Sequence, residues 1–522
     1  MQRGNPITGA VVRSRILRDT YRDSVELMRV AAEIERRPGV RRAALLVATP
    51  ANREVLATAG LLDPAAALAG PSDLVVAVAG DDEPAAETAL ARATELLAAA
   101  RDSGVASVER PAPTTIADAV AEAPAANLAL ISTPGPHATA EALKALKRGL
   151  HVFLFSNNVS LADELELKRL ALRKGRLLMG PDCGTAILDG VPLGFANVVR
   201  RGRIGLVAAS GTGLQQVVCL IDRLGHGISQ AIGVGGRDLD QRIGGVMMLA
   251  ALERLAADAD TAVIVLISKP PSPAVSQRVL ERVRAAGKPV VACFLGGDPA
   301  LGVTAGATPA VTLEEAALRA VTLAGGRPGG SALAIDDDGN LVKAVLARAA
   351  RLAPGQRAIR GLYSGGTLAY EAALLLDGAF PQARIRGAHS LVDLGEDEFT
   401  VGRPHPMIDF RLRNERIAAA ADDEATAVVL LDVVLGYGSH TDPAGELVPV
   451  LEAARAQAAR AGRELIVVGS VCGTAGDPQG LGDQEARLSA AGVLLAPSNA
   501  GAARLAVRAA RAAGERAAGA RS

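Results

Sequence analysis

The feature that most constrains this chain is one small motif that occurs twice, each time between an apolar run and a helical stretch. Ser210, Gly211, Thr212 and Gly213 follow the run Ile204 to Ala208 and precede Leu214 to Leu224. Ser364, Gly365, Gly366 and Thr367 follow Ile359 to Tyr363 and precede Leu368 to Leu376. A strand that breaks into such a turn and then starts a helix leaves unpaired N–H groups at the helix N-terminus, with hydroxyls beside them and the positive end of the helix dipole behind. One such turn is weak evidence, because Ser and Thr cap many helices. Two, each heading a similar series of segments, predict a pair of related βα domains able to aim two helix ends at one phosphate. The copies lie roughly 150 positions apart, far beyond solenoid periods, so domain duplication is expected rather than a repeat array.

The rest of the chain reads as α/β. Its 522 residues predict roughly three or four domains. Hydrophobic residues make up 49% but aromatics only 2%, so the cores are expected to be Ala, Val, Leu and Ile, as in parallel sheets covered by helices. The net charge of zero points to neither nucleic acid nor an anionic membrane surface. Cys183, Cys219, Cys293 and Cys472 form no CxxC pair, which predicts no metal site and no disulfide framework. Residues 1 to 20 lack a signal-length apolar stretch and the longer apolar runs are strand-length, so a cytoplasmic location is expected.

Four segments follow from the pattern. Residues 1–110, an N-terminal α/β domain, alternate strand and helix at Val11 to Leu17, Val25 to Ile34, Ala43 to Ala48, Asn52 to Ala59, Leu74 to Val78 and Ala85 to Ala100. Residues 111–200 read as Rossmann-like, with strands at Leu128 to Ser132, His151 to Phe155 and Arg176 to Met179. Helices at Ala138 to Lys147 and Leu161 to Arg173 separate them, but no GxGxxG turn supports a dinucleotide. Residues 201–326 and 331–522 carry the two copies of the Ser/Gly/Thr turn, and Arg511 to Ser522 is expected to fray.

Several further groups are candidates for chemistry. Gly180, Pro181, Asp182 and Cys183 stand at a strand's C-terminal end, where open α/β sheets bind ligands; the alternative is a tight turn around a buried thiol, and no local base activates Cys183. Gly235 and Gly236, before Arg237, could approach an anion or serve a plain turn. Lys269 reads either as a phosphate or carboxylate contact or as a solvated strand-end lysine. Asp393, Glu396, Asp397, Glu398, Arg403, His405 and Asp409 form the densest polar cluster, with Arg403 and His405 beside prolines that fix the backbone. Arg403 suits a carboxylate and His405 a proton transfer, the alternative being a solvated acidic loop. Asp432, inside an apolar strand, requires a partner.

Together these residues resemble the FdrA family within the succinyl-CoA synthetase superfamily of acid–thiol ligases. Thr49 to Asn52, Gly180 to Thr185, Gly194 to Val198, Ala209 to Gly213, Gly235 to Leu239, Ser268 to Pro271 and Thr400 to Asp409 all carry the likeness, over nearly the whole chain. The resemblance implies a CoA-binding-type domain followed by two flavodoxin-like ligase domains, with CoA as a conceivable cofactor and other subunits as partners. Two departures matter. The synthetases pass phosphate through a histidine after the strand matching Val290 to Leu295, whereas Gly302 to Ala307 contains none, leaving no imidazole as acceptor. The segment before residue 110 is also too short for the ATP-grasp domain they need. FdrA-like proteins are associated with oxamate carbamoyltransferase in ureide degradation. That association implies a small carboxylate and an acyl phosphate as ligands, with an acyl-CoA synthetase subunit and a non-catalytic scaffold as the alternatives.

Overall fold

The computed structural model describes residues 10–20, 22, 24–102, 113–327, 333, 339–380, 389–400 and 404–519. Two compact units emerge, the first spanning 1–112 with 400–404 and the second 113–399 with 405–522.

In the first unit, β1 (Val11–Leu17), β2 (Val40–Val47) and β3 (Leu74–Gly80) form an antiparallel sheet in the order β1-β3-β2. Central β3 reads LVVAVAG and is buried at every residue, as expected of a strand covered on both faces. The helices Ser24–Glu35 and Glu83–Asp102 bring Leu27, Ile34, Leu90 and Leu97 onto one of those faces.

The second unit holds three sheets. β4 (Leu128–Ile131), β5 (His151–Leu154) and β6 (Leu178–Met179) run parallel. Two more strands, β7 (Thr185–Leu188) and β8 (Val191–Gly194), form a hairpin, followed by β9 (Arg201–Ala208), β10 (Ile228–Gly233), β11 (Val263–Ser268), β12 (Val290–Phe294) and β13 (Thr308–Pro309). These seven make one sheet in the order β13-β12-β11-β9-β10-β7-β8. The hairpin enters it through the antiparallel pairing of β7 with β10, so the sheet crosses the boundary expected at residue 200. The last sheet comprises β14 (Ala358–Tyr363), β15 (Ser390–Asp393), β16 (Thr426–Val434), β17 (Ile466–Cys472) and β18 (Leu494–Ala496), all parallel, in the order β15-β14-β16-β17-β18.

The duplication is visible in that topology. Setting β9 against β14, the parallel strands of both sheets follow the flavodoxin-like order 2-1-3-4-5. In that order the crevice opens at the C-terminal end of the first strand, where its neighbours diverge. Both Ser/Gly/Thr turns lie there, directly after β9 and β14. A shared core unites the two sheets: Val217, Leu220, Ala317, Leu368, Ala372 and Leu505, from four helices, belong to one buried cluster. The helix Asn499–Gly519 continues through Arg511, where fraying is expected from the sequence. Ala513 is buried there, and Arg511 donates to Ala379 O at 2.6 Å and lies over Phe380, so the helix is packed as far as Ala513.

Among the described residues no helix is long and apolar enough to cross a membrane.

Candidate functional site where two helix ends meet

Ser210 is the N-cap of the helix Gly211–Arg223, its Oγ accepting from Gly213 N at 3.0 Å. The same Oγ lies 2.5 Å from Thr367 Oγ1, in the first turn of the helix Gly366–Ala379. Thr367 N points back to Thr212 Oγ1 at 3.4 Å. The two turns therefore touch, bringing two positive helix ends to one point. Close approach needs glycine: a Cβ on Gly213 would sit 3.1 Å from Thr367 Cγ2, and one on Gly365 3.0 Å from Thr212 Cγ2. Gly211 faces Thr185, whose Oγ1 donates to Phe195 O at 2.7 Å.

Ser364, a phosphate candidate in the sequence, is engaged with Asp432. Its hydroxyl turns inward to Asp432, 3.1 Å from each carboxylate oxygen, and the residue is buried. Asp432, on fully buried β16, also accepts from Ser364 N and Gly365 N, each at 2.8 Å. Its countercharge is the equally buried Arg413, which donates to Oδ1 at 2.8 Å and to the Asp432 carbonyl at 2.7 Å. A buried carboxylate needs this many donors, and meeting that need fixes the path of the second turn.

Asp393, at the end of β15, stands over the opening of the second helix; any side chain on Gly366 would run into its Oδ2. Burial pushes the Asp393 carboxyl up to about 6, against the pull of the Gly395 N–H and the Lys269 charge. His405 completes this side. A Cβ on Gly395 would lie 2.8 Å from His405 Nε2 and 3.1 Å from Asp393 Oδ1, so imidazole and carboxyl flank one glycine. His405 Nδ1 accepts from Met407 N at 3.3 Å, which leaves Nε2 to carry the proton. Removal from water pushes His405 down to about 4, keeping the ring neutral near pH 7. Its ring lies 5.5 Å from that of Phe195, linking it to Thr185 and Gly211. Arg403 falls outside the described residues.

Apart from Lys269, whose charge acts on Asp393, the remaining candidates form a second group. Gly235, in left-handed backbone at φ +85°, packs so tightly on Gly180 and Pro181 that a Cβ would strike the Pro181 carbonyl. Gly236 faces open space, and Asp182 is exposed with φ +55°. Cys183 is a core residue against Gly233, its thiol pushed up by burial to about 12, which favours the buried-thiol reading. Arg237 pairs with Glu164 at 2.9 Å and donates to Val159 O at 2.8 Å, so its guanidinium is engaged within the protein. Beneath it Lys168 is fully buried, bonded to Glu164 at 2.8 Å, Asp238 at 2.7 Å and Val234 O at 3.1 Å. Sequence reasoning passes over this cluster because Lys168 and Glu164 look like an ordinary i,i+4 surface pair. Lys269 is exposed, 5.1 Å from the Tyr370 ring centroid.

Three family models match the chain, and the CoA binding domain model falls on the segment read from the sequence as the first ligase-type domain. The CoA-ligase family model matches residues 362–509, the CoA binding domain model 199–296, and the model described as AllF, heavy metal-associated domain, 10–112. Residues 10–112 contain no cysteine and no histidine, and Met28 is the one sulfur side chain in that segment. The uncharacterized protein YahF of Escherichia coli K12 is 43% identical over 497 residues, covering 92% of this chain and 95% of that protein. The ADP-forming succinate–CoA ligase subunit alpha-2 of Trichomonas vaginalis is 31% identical over 149 residues, 28% of this chain and 47% of that protein. Among solved structures, an ATP citrate lyase from Methanothrix soehngenii in complex with citrate and coenzyme A aligns at TM-score 0.35 and 13% identity, over 78% of this chain and 85% of that one. The CoA-ligase and CoA binding domain matches define a protein of the acid–thiol-ligase-like superfamily. The chain belongs to the FdrA-like family of the succinyl-CoA synthetase superfamily.

Proposed function

We propose that the chain is a subunit of a carbamoyl-transfer complex of the oxamate carbamoyltransferase type, holding phosphate or carbamoyl phosphate where the two helix ends meet. The observation that carries this reading is the 2.5 Å contact between Ser210 and Thr367, which places both helix N-termini at one locus. The matching stretch, Gly302 to Ala307, has no histidine to take up a phosphoryl group, so chemistry on an acyl phosphate without a phosphoenzyme suits what remains.

In the phosphorolytic direction a phosphate oxygen attacks the carbamoyl carbon of oxalurate. The bond from that carbon to the oxamate nitrogen breaks, and the nitrogen takes a proton. The helix dipoles hold the phosphate charge, together with turn N–H groups other than those of Gly213, Ser364, Gly365 and Thr367, which are engaged within the protein. The protonated Asp393 supplies the proton, and the neutral His405 donates a hydrogen bond from Nε2–H to the reacting group. Arg403 takes the substrate carboxylate through its two-pronged guanidinium.

The purified chain, assembled with its partner subunits, is expected to form carbamoyl phosphate from oxalurate and phosphate. An assembled complex without that activity overturns the reading. The CoA-ligase and CoA-binding matches favour a second one, a subunit of a nucleotide-dependent acyl-CoA synthetase. ADP release that depends on both CoA and a carboxylic acid would select it.

A further inference from the structure

A cavity of about 280 Å³ opens at the C-terminal ends of β12 and β13, beside the helix Gly366–Ala379. Its polar wall is Asp298, Thr312 and Glu371, and Phe294, Leu374 and Leu375 supply much of the rest. None of the residues lining it is Lys, Arg or His. Glu371 is held firmly: Oε1 accepts from Leu313 N at 2.7 Å and Oε2 from Asn499 Nδ2 at 2.8 Å. Asp298 is fixed as well, accepting from Ala300 N at 2.9 Å. Each carboxylate oxygen keeps a further lone pair after such a bond.

The cavity therefore offers negative charge, hydrogen-bond acceptors and hydrocarbon, with no cationic group. Phosphates and carboxylates are repelled from it, in contrast to the twin helix ends. A ligand that matches must bring donors and a positive charge on a short apolar body. We propose that this cavity binds a small aliphatic primary ammonium, its charge taken by Glu371 and Asp298 and its carbon chain by Leu374, Leu375 and Phe294.

Protonation follows from the surroundings. Burial, the largest influence, pushes Glu371 up to about 7; Glu314 adds to this, while Arg504 and the two hydrogen bonds oppose it. Cys293 and Tyr363, also near, are held neutral by burial, and Asp298 shares the cavity. A bound cation favours ionised Glu371, so binding releases a proton and tightens as pH rises through neutrality.

The test is isothermal titration of the full chain with n-butylammonium chloride, in two buffers of different ionisation enthalpy, at pH 6 and pH 8. Saturable binding with proton release, tighter at pH 8, is the expected result. Glu371→Gln should weaken it by about tenfold or more. Leu374→Trp, which fills the cavity, should abolish it while the circular dichroism spectrum stays that of the wild type. Absence of saturable binding, equal binding of butyrate, or wild-type affinity in both variants overturns the proposal.

Discussion

Ser210 Oγ and Thr367 Oγ1 lie 2.5 Å apart although 157 positions separate them in the chain. The contact joins the corresponding turns of the two duplicated domains, so neither domain alone can form the site.

Ser210→Ala removes both this contact and the cap on Gly213 N, and should cost about 1 kcal/mol of stability. Thr367→Val removes the contact but no cap, so its stability loss should be smaller. Both variants should shrink the rise in melting temperature that phosphate produces. Wild-type phosphate shifts in both would show that no anion binds between the turns.

Asp432 and Arg413 test the scaffold below. Asp432→Asn or Arg413→Met strands the other charge in the interior and should cost about 3–5 kcal/mol in urea denaturation. Replacing both with Leu and Met removes the stranded charge but leaves Ser364 N and Gly365 N without their acceptor. The double variant should therefore remain about 1–3 kcal/mol less stable than wild type. Full recovery would show that the turn does not depend on Asp432.

For Asp393 the sign runs toward acid. Its folded pKa, about 6, exceeds the value near 3.8 expected when unfolded, so the folded state retains a proton that the unfolded chain releases. Stability from this group falls as pH rises from about 3.8 to 6 and is level above that. Asp393→Asn should gain about 1–2 kcal/mol over wild type at pH 8 after allowance for solvent screening, and nothing at pH 3.5. The same variant should remove an activity limb near pH 6. A variant that tracks wild type across that range contradicts the assignment.

His405 titrates with the opposite slope. Its folded pKa, about 4, lies below the unfolded value of 6.5, so acid protonates the unfolded chain first. Wild type should lose stability between pH 6.5 and 4 relative to His405→Gln. His405→Ala should lower turnover by roughly two to four orders of magnitude if Nε2–H hydrogen-bonds the reacting group. Unchanged turnover in a folded, assembled variant makes the loop structural.

Gly366 and Gly211 occupy equivalent turns and should respond differently to alanine. A side chain on Gly366 displaces Asp393, whereas one on Gly211 meets Thr185 Oγ1 at an ordinary 3.4 Å. Gly366→Ala should reduce turnover by about a hundredfold, the scale of a misplaced catalytic group, with Gly211→Ala close to wild type. Equal effects would deny Asp393 a place in the site.

Much of the secondary structure is legible in sequence because the signals are local. The strand at 11–17 and the helix at 161–173 fall where the apolar pattern puts them. The paired turns announce the duplication, and the strand order agrees with it. Pairing is less legible: the β7–β8 hairpin joins the following sheet through a contact between Ile187 and Ala231, which no local pattern encodes. The Ser364 hydroxyl likewise takes its direction from Asp432, 68 residues away. Arg413 escapes notice because one arginine in a polar helix looks solvated, and only the need of Asp432 for a partner hints at it.

The segment Gly194 to Val198 ties the two halves of the site into one molecule. Asn197 Nδ2 donates to Leu435 O at 3.0 Å and to Asp477 at 2.7 Å, and Tyr437 N donates to Ala196 O at 2.8 Å. Because both helix ends ride on a single covalent chain, their encounter is unimolecular, governed by a fixed effective concentration rather than by protein abundance. Dilution cannot part them, so the proposed anion locus should persist at concentrations where any partner subunit has already dissociated.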